Sequence, residues 1–189
     1  LLRRATIRGE DGAPVKPGEP GELWMAGRGI MKGYFNKPEA NADAFRDDWF
    51  RTGDVTRQDE RGFFYIIGRL KDMVRRSGEN VAAREVEAVA LLLPEVKEAA
   101  VVPVPDKDRG EEVKIFLALQ EGVPADEATI ARVAAHCRAN LASYKVPRYY
   151  AFLPELPRTA SNKIEKGKLK TLHPEPRQGA YDTVDRLWR

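Results

Sequence analysis

The sequence is poor in the residue types that build disulfides, metal centres and membrane spans. It contains one cysteine and two histidines among 189 residues, which excludes an internal disulfide, and His136 and His173 are too isolated to suggest a protein-bound zinc ion. No apolar run approaches the ~20 residues that a membrane-spanning helix needs. The single cysteine suits a reducing compartment, so we expect a cytoplasmic protein without a membrane span.

The composition is that of a soluble globular protein, with 42% hydrophobic and 32% charged residues. The chain does not begin with methionine, and we expect it to be part of a longer protein. The net charge is only +3, but residues 157–189 hold eight Lys/Arg against four Asp/Glu. Such basic clusters favour a phosphate-rich partner, although a plain solvated surface explains each single residue equally well.

Hydrophobic patterning divides the chain into two halves. Residues 1–70 favour short strands and turns, with strands over 2–8, 22–26 and 62–67 and a short helix over 38–45. Beyond them, the pattern predicts strands over 73–76, 98–104, 112–120 and 148–153, with helices over 83–93, 126–141 and 164–172. The main order is β-α-β-β-α-β, a compact α+β unit. We therefore predict domains over 1–70 and 71–172, followed by a tail over 173–189.

Apolar periodicity also predicts a core for the second half. One face of each helix and one side of the second long strand are apolar: Val86, Val89, Ala90 and Leu93; Ile130, Val133, Ala134, Cys137 and Leu141; Val113, Ile115, Leu117 and Leu119. Cys137 has no evident catalytic partner, so we expect a core residue rather than a nucleophile. In the tail, we expect Tyr181, Leu187 and Trp188 to pack on the body.

Two short motifs carry charged residues that suit a nucleotide. Asp54 follows Thr52-Gly53, where a carboxylate can accept hydrogen bonds from the two hydroxyls of a ribose, or can simply end a strand and cap a turn. Arg69 could fork onto ribose or phosphate oxygens, and Lys71 could be a hinge residue. The alternative for both is a pair of solvated charges on a linker.

Two further positions complete the set of candidates. Gly78 has no Cβ, so a ligand could pass close to its backbone, although a plain turn before a helix explains it too. Lys163 ends a polar, turn-prone segment, 157–163, from which it could reach into a cleft or remain a surface lysine. Together the motifs offer a carboxylate, a guanidinium and a mobile ammonium, groups that can hold a nucleotide and stabilise charge at a phosphate.

Two near-matches to other motifs fail on inspection. Residues 27–33 resemble a dinucleotide-binding fingerprint, but the spacing is one residue too long and no helix opens after it. Residues 61–66 resemble an RNA-binding strand, but Phe64 stands where Gly or Ala is expected, and the strand lies outside the β-α-β-β-α-β unit. The sequence contains no Walker-type glycine-rich loop.

Taken together, five segments resemble the C-terminal third of an acyl-adenylate-forming enzyme, specifically an acyl-CoA synthetase. The resemblance runs from about Gly9 to Lys170 and rests on GELWMAGRGIMKGYFNKPE (21–39), DWFRTGD (48–54), GFFYIIGRLKDMVRRSGENV (62–81), EVEAV (85–89) and LPRTASNK (156–163). The family's usual glycine before the final lysine is Asn162 here. Because asparagine tolerates left-handed backbone geometry, we expect the loop to survive.

The resemblance implies a role for each candidate residue. Asp54 would bind the ribose hydroxyls of ATP and AMP, and Arg69 would contact the same ribose and phosphate region. Lys71 falls at the family's hinge, and Gly78 matches the glycine along which the pantetheine arm of coenzyme A runs. Lys163 would bridge the carboxylate substrate and the α-phosphate during adenylation. The implied cofactors are ATP, Mg²⁺ and coenzyme A.

The implied chemistry needs more than this chain contains. The family's phosphate loop, its magnesium-proximal segment and its acyl pocket have no counterpart here, so we expect the remainder of the large N-terminal domain as a partner and an inactive isolated fragment. The 3′-phosphate of coenzyme A would suit Arg75, Arg76 or the lysines within residues 157–189. An adenylating enzyme that loads a carrier protein, and a non-catalytic module that binds RNA, are the alternatives, although we expect no nucleic acid. The carboxylic acid and the oligomeric state are not indicated.

Overall fold

The computed structural model describes residues 4–189. Leu1 to Arg3 lie outside the described part, and so does the start of the strand predicted over 2–8. The chain divides into two compact units, one ending at Lys71 and the other spanning Asp72–Arg189. A short 3-10 turn, Leu70–Asp72, lies at the division.

The first unit is an antiparallel sheet in the order β1-β2-β4-β3, with β5 paired to β4. Its elements are β1 Arg4–Arg8, β2 Gly21–Ala26, α1 Pro38–Ala44, β3 Phe45–Arg46, β4 Trp49–Gln58 and β5 Phe64–Arg69. Strand β2 alternates strictly, so that Glu22, Trp24 and Ala26 are buried on one face. Strand β4 was not predicted from the sequence, because its polar residues do not alternate with apolar ones.

The second unit is a mixed sheet in the order β12-β11-β10-β9-β6-β7, with β8 paired along β9. Its elements are β6 Met73–Arg76, β7 Glu79–Ala82, α2 Ala83–Ala90, β8 Val96–Asp106, β9 Gly110–Leu119, α3 Glu127–Asn140, β10 Tyr149–Phe152, α4 Lys166–Lys170, β11 Tyr181–Asp182 and β12 Leu187–Trp188. Strands β9 and β10 are parallel, and the other pairs are antiparallel. The fold is therefore α+β, as predicted.

The central strand of this sheet, β9, is buried along most of its length because a hydrophobic core covers each face. One core joins Val113, Ile115 and Leu117 to apolar residues of α2 and α3, including Cys137. The other joins Phe116 and Ala118 to residues before and within α4 and to Ala180 of the tail. The predicted inward-facing residues are confirmed as buried or as packed against the first core.

The predicted helices and strands of the second half are present, and the ends of several differ by a few residues. The helix predicted over 83–93 ends at Ala90, and the final helix shortens to Lys166–Lys170. Helix α3 begins where Asp126 caps it by accepting a hydrogen bond from the Thr129 amide at 2.9 Å. Strand β7 was not predicted, since Glu79 and Asn80 resemble a polar turn.

The tail extends the sheet rather than merely covering it. Strand β11 pairs with β10, and β12 pairs with β11. Tyr181 packs against the first core. The Trp188 ring lies 6.4 Å from that of Phe152, but both Trp188 and Leu187 are exposed, at 45% and 42%. The buried Lys114 amine donates to the Pro176 and Gln178 carbonyls at 2.8 and 3.1 Å. Burial lowers the pKa of Lys114 to about 8.

A buried carboxylate, that of Asp182, fixes the tail strands. Arg148 donates to both of its oxygens at 3.0 Å, and Arg189 donates to Oδ2 at 2.9 Å. The backbone amides of Val184 and Asp185 donate to Oδ1. Burial alone would raise the pKa of Asp182, but these hydrogen bonds outweigh it and hold that pKa well below its usual range. The carboxylate is therefore fully paired.

Candidate functional site

The first unit brings two of the predicted site residues into direct contact. Asp54 and Arg69 face each other in the register of β4 and β5. Arg69 Nε lies 2.7 Å from Asp54 Oδ1, and the two side chains are 55% and 25% exposed, respectively. Among the residues that the structure describes, no partner occupies Asp54 Oδ2. That oxygen can accept hydrogen bonds from a diol while Arg69 neutralises the charge.

The backbone before Asp54 is held by a buried residue that sequence reasoning missed. Glu22 accepts from the Gly53 amide at 3.1 Å and from the Trp24 indole at 2.9 Å. Arg51 also pairs with Glu22, at 3.1 Å. Gly53 has φ +71°, which favours glycine, and it bends the chain just before the candidate carboxylate. The sequence carries no local signal for this role, because Glu22 and Gly53 are 31 positions apart.

Gly78 lies in the turn of the β6–β7 hairpin, not simply before a helix. Ser77 and Gly78 have φ +53° and +83°, as a two-residue primed turn requires, and Arg76 pairs with Glu79 across it. The Ser77 amide donates to the Arg109 carbonyl at 2.8 Å. A Cβ built on Gly78 would meet no atom within 4 Å. The turn therefore presents open backbone that a slender ligand chain could follow.

Of the two arginines considered for a phosphate, Arg76 is engaged within the fold. Its Nε lies 2.8 Å from Glu112 Oε2, and it donates to the Tyr144 carbonyl at 2.7 Å. Arg76 and Glu112 are both buried, because they join β6 to β9 and to the turn before β10. The proposal that Arg76 holds a phosphate is therefore wrong. Arg75 is exposed.

Lys163 is exposed at the end of a tight loop between β10 and α4. The Thr159 amide donates to the Lys163 carbonyl at 2.8 Å, and the Lys163 amide donates to Thr159 Oγ1 at 3.2 Å. Asn162 has φ +61°, so the expectation that asparagine would adopt left-handed geometry here is confirmed. The loop fixes the Lys163 backbone while leaving its side chain in solvent.

The other predicted positions are placed as follows. Lys71 is exposed in the 3-10 turn where the two units divide. Gly78 and Lys163 lie in different loops of the second unit. Cys137 is buried, and burial raises the pKa of its thiol to about 11, which disfavours a nucleophilic thiolate.

Potential metal-binding side chains do not cluster in the part of the chain that the structure describes. Residues 4–189 contain no group of three or more His, Cys, Asp or Glu side chains that could hold a metal ion. Over the same range, no helix has both the length and the apolar character needed to cross a membrane.

Comparison with known proteins finds adenylate-forming enzymes. Residues 85–163 match the AMP-binding enzyme C-terminal domain. The 2-succinylbenzoate–CoA ligase of Geobacillus kaustophilus is 43% identical over 89% of this chain and 34% of its own length. The long-chain-fatty-acid–CoA ligase of Bacillus subtilis is 44% identical over 85% of this chain and 28% of its own length.

A solved structure extends the similarity to the fold. The o-succinylbenzoate CoA synthetase of Bacillus subtilis, in complex with its acyl-adenylate intermediate, has a TM-score of 0.80 and 36% identity, covering 89% of this chain and 34% of that one. The chain spans about a third of the length of the curated relatives it matches. These relatives differ in the acid they are named for, so the shared portion does not identify the acid.

Proposed function

Because this chain belongs to the acyl-adenylate-forming enzymes, we propose that it is the C-terminal part of an ATP-dependent carboxylate–CoA ligase. Its partner would be the remainder of a large N-terminal domain, which would supply the phosphate loop and acyl pocket. The observation that supports this most is the exposed Lys163, held by its backbone at the tip of a fixed loop. The contact between Asp54 and Arg69 supports it independently.

The first proposed step joins a carboxylic acid to AMP. A carboxylate oxygen attacks the α-phosphorus of ATP, and pyrophosphate leaves with the electrons of the broken P–O bond. Lys163 would offset negative charge that develops on the reacting oxygens. Asp54 Oδ2 would accept hydrogen bonds from the ribose, and Arg69 would neutralise that carboxylate and hold it in register.

The second proposed step transfers the acyl group to coenzyme A. The thiolate attacks the acyl carbonyl, the bond between that carbon and the phosphate oxygen breaks, and AMP leaves. The Ser77-Gly78 turn would pass the pantetheine arm, because no side chain projects from Gly78. We propose that the second unit turns about Lys71 between the steps, withdrawing Lys163 and presenting Gly78.

The decisive experiment separates the two half-reactions in the full-length protein that carries this chain. For Lys163→Ala, we expect ATP-dependent pyrophosphate release to fall about 100-fold to 1000-fold. Thioester formation from supplied acyl-AMP and coenzyme A should persist. If pyrophosphate release is unchanged, Lys163 is a surface lysine and the proposal fails. AMP release that requires a carrier protein instead of coenzyme A would identify the other acceptor.

The isolated chain gives a second test of the same proposal. Without a phosphate loop or acyl pocket, we expect no pyrophosphate release from these 189 residues alone. The assay would use a panel of carboxylic acids with Mg-ATP, and the full-length protein as the positive control. Detectable pyrophosphate release by the isolated chain would contradict the proposal that the N-terminal domain supplies the phosphate loop and acyl pocket.

A further inference from the structure

The loop that carries Lys163 is anchored on both sides by ion pairs to the body of the second unit. On the N-terminal side, Arg158 pairs with Glu98 of β8 through Nη2. On the C-terminal side, Lys166 Nζ lies 2.6 Å from Glu87 Oε1 on α2. The two cations stand five residues before and three residues after Lys163, so they bracket the loop.

Each anchor is connected to more than its partner carboxylate. The same Arg158 guanidinium donates through Nη1 to the carbonyl of Asn162 at 2.9 Å, and Asn162 directly precedes Lys163. Glu87, which holds Lys166, also accepts from the Val101 amide of β8 at 2.7 Å. Both ion pairs therefore tie the loop to the same long strand, by way of Glu98 on one side and Val101 on the other.

The loop itself closes as a narrow hairpin between these anchors. Thr159 bonds to Lys163, Arg158 forms a bridge with Ile164, and the Glu165 amide donates to the Pro157 carbonyl at 2.7 Å. Outside the hairpin, Leu156 and Leu169 are both buried in the second core. From its two ends inward, the segment is thus fixed by apolar burial, then by ion pairs, then by backbone hydrogen bonds, and the side chain of Lys163 remains exposed.

Partial burial distinguishes three of the four side chains in these pairs from ordinary surface charges. Lys166 and Glu87 are only 18% and 15% exposed, and Glu98 is 17% exposed, whereas its partner Arg158 is 39% exposed. Exposed ion pairs contribute little, whereas shielded pairs with additional hydrogen bonds hold a defined geometry. A long, flexible lysine can act on a developing charge only if its Cα is held in place, because small displacements reduce a rate strongly.

We propose that Arg158 and Lys166 are positioning residues that fix the Lys163 loop for adenylation. This inference rests on the proposed function, in which Lys163 serves the adenylation step alone. Arg158 fixes the position of the Asn162 carbonyl, which directly precedes Lys163. Lys166 fixes the start of α4, which follows the loop. Neither side chain needs to touch a substrate. Their removal leaves Lys163 chemically intact but allows its backbone to move.

The test uses the full-length protein with Arg158→Met, Lys166→Met and the double variant. Methionine keeps the length of the side chain and removes its charge. We expect kcat for pyrophosphate release to fall about tenfold in each single variant and about 100-fold in the double variant, because the lysine is displaced rather than lost. The KM values for ATP and the carboxylic acid should change little. Thioester formation from supplied acyl-AMP should stay at the wild-type rate.

Three controls make the result specific. Lys145→Met breaks an ion pair of 2.7 Å with Glu85, which lies on α2 as Glu87 does. This pair does not involve the Lys163 loop, so the variant should alter neither half-reaction. Lys166→Arg keeps the charge and should restore most of the adenylation rate. If Arg158→Met folds poorly, Glu98→Gln breaks the same pair from the strand side and should show the same selective loss.

The possible results separate this inference from the proposed function. If Lys163→Ala leaves pyrophosphate release unchanged, the proposed function fails and the inference fails with it. If Lys163→Ala is selective but Arg158→Met and Lys166→Met leave adenylation within about twofold of wild type, only the inference is overturned. A parallel loss of both half-reactions with a lower unfolding temperature would show that the pairs are merely structural, and would also overturn it.

Discussion

Two loops of the second unit, the Lys163 loop and the Ser77-Gly78 turn, are held in different ways. The Lys163 loop closes through backbone hydrogen bonds, is anchored by the side chains of Arg158, Thr159 and Lys166, and ends on a charged side chain. The Ser77-Gly78 turn is closed by backbone geometry, and its tip offers no side chain. A loop that must place a long flexible group needs anchors around it, whereas a turn that offers bare backbone needs a glycine.

The largest effect is expected from a substitution that destabilises the sheet next to the Lys163 loop but not next to the Ser77-Gly78 turn. Asp182→Asn leaves the Arg148 and Arg189 guanidinium groups without their buried carboxylate, so we expect the free energy of unfolding to fall by about 3 kcal/mol. Hydrogen exchange should rise in β10, β11 and β12, next to the Lys163 loop. The β6–β7 hairpin, at the other end of the sheet, should keep its protection.

The same variant has a defined pH dependence. The pKa of Asp182 is lowered on folding, so its contribution is present above the unfolded pKa, near 3.8, and is lost as the pH falls below that value. The difference in stability between wild type and Asp182→Asn should therefore be full at neutral pH and should shrink in acid. A stability difference between wild type and Asp182→Asn that does not change with pH would contradict an ion-paired Asp182 carboxylate. If hydrogen exchange in the variant rose equally in β10–β12 and in the β6–β7 hairpin, the contrast between the two loops would be lost.

A change at Gly78 tests the turn directly. Gly78→Leu places a side chain at φ +83° in open space, so we expect a cost of about 1–2 kcal/mol in stability from backbone strain alone. In the full-length protein, thioester formation from acyl-AMP should fall about 100-fold, because the side chain would block the pantetheine path. Pyrophosphate release should be nearly unchanged.

Gly122→Leu is the matched control for that variant. Gly122 has φ +81° and likewise no atom within 4 Å of a built Cβ, but no role is proposed for its turn. Stability should fall by a similar amount while both half-reactions remain. If Gly122→Leu slows thioester formation as much as Gly78→Leu does, the effect is one of stability, and the contrast between loop and turn is lost.

The smallest effects are expected at Asn162, which combines features of both loops. Asn162→Gly suits φ +61° and should keep adenylation within about twofold of wild type. Asn162→Val is strained by its branched side chain and should lower adenylation about tenfold, because the tip of the loop would shift. The rate of pyrophosphate release distinguishes the two variants, and thermal unfolding is measured alongside it. Equal rates would mean that the backbone at Asn162 does not position Lys163.

Sequence reasoning predicted the elements whose signals are local. Helix α3 follows an apolar period and an Asp126 cap, and β9 alternates apolar residues with their neighbours. Strands β4 and β7 escaped it, because their polar residues pair with neighbouring strands instead of following a hydrophobic period. The tail was expected to pack on the body, but its pairing as two additional strands depends on the exposed edge of β10 and has no local signal.

The candidate site divides in the same way. The types and order of Asp54, Arg69, Gly78 and Lys163 are legible in short motifs, although their roles stay predictions. The buried residues that hold them were not legible: Glu22 reaches Gly53 across 31 positions, and Arg158 reaches Glu98 across 60. Contacts so distant in sequence arise only when strands are brought into register.

The sequence by itself determined the α+β class, the main helices and strands, the buried face of each helix and the left-handed backbone at Asn162. These follow from period, capping and backbone sterics, which act over a few residues. Only the tertiary structure decided that Arg76 is committed to Glu112, that Asp182 locks the tail, and that two ion pairs bracket Lys163. These depend on burial and strand register, which bring together charges that the chain keeps far apart.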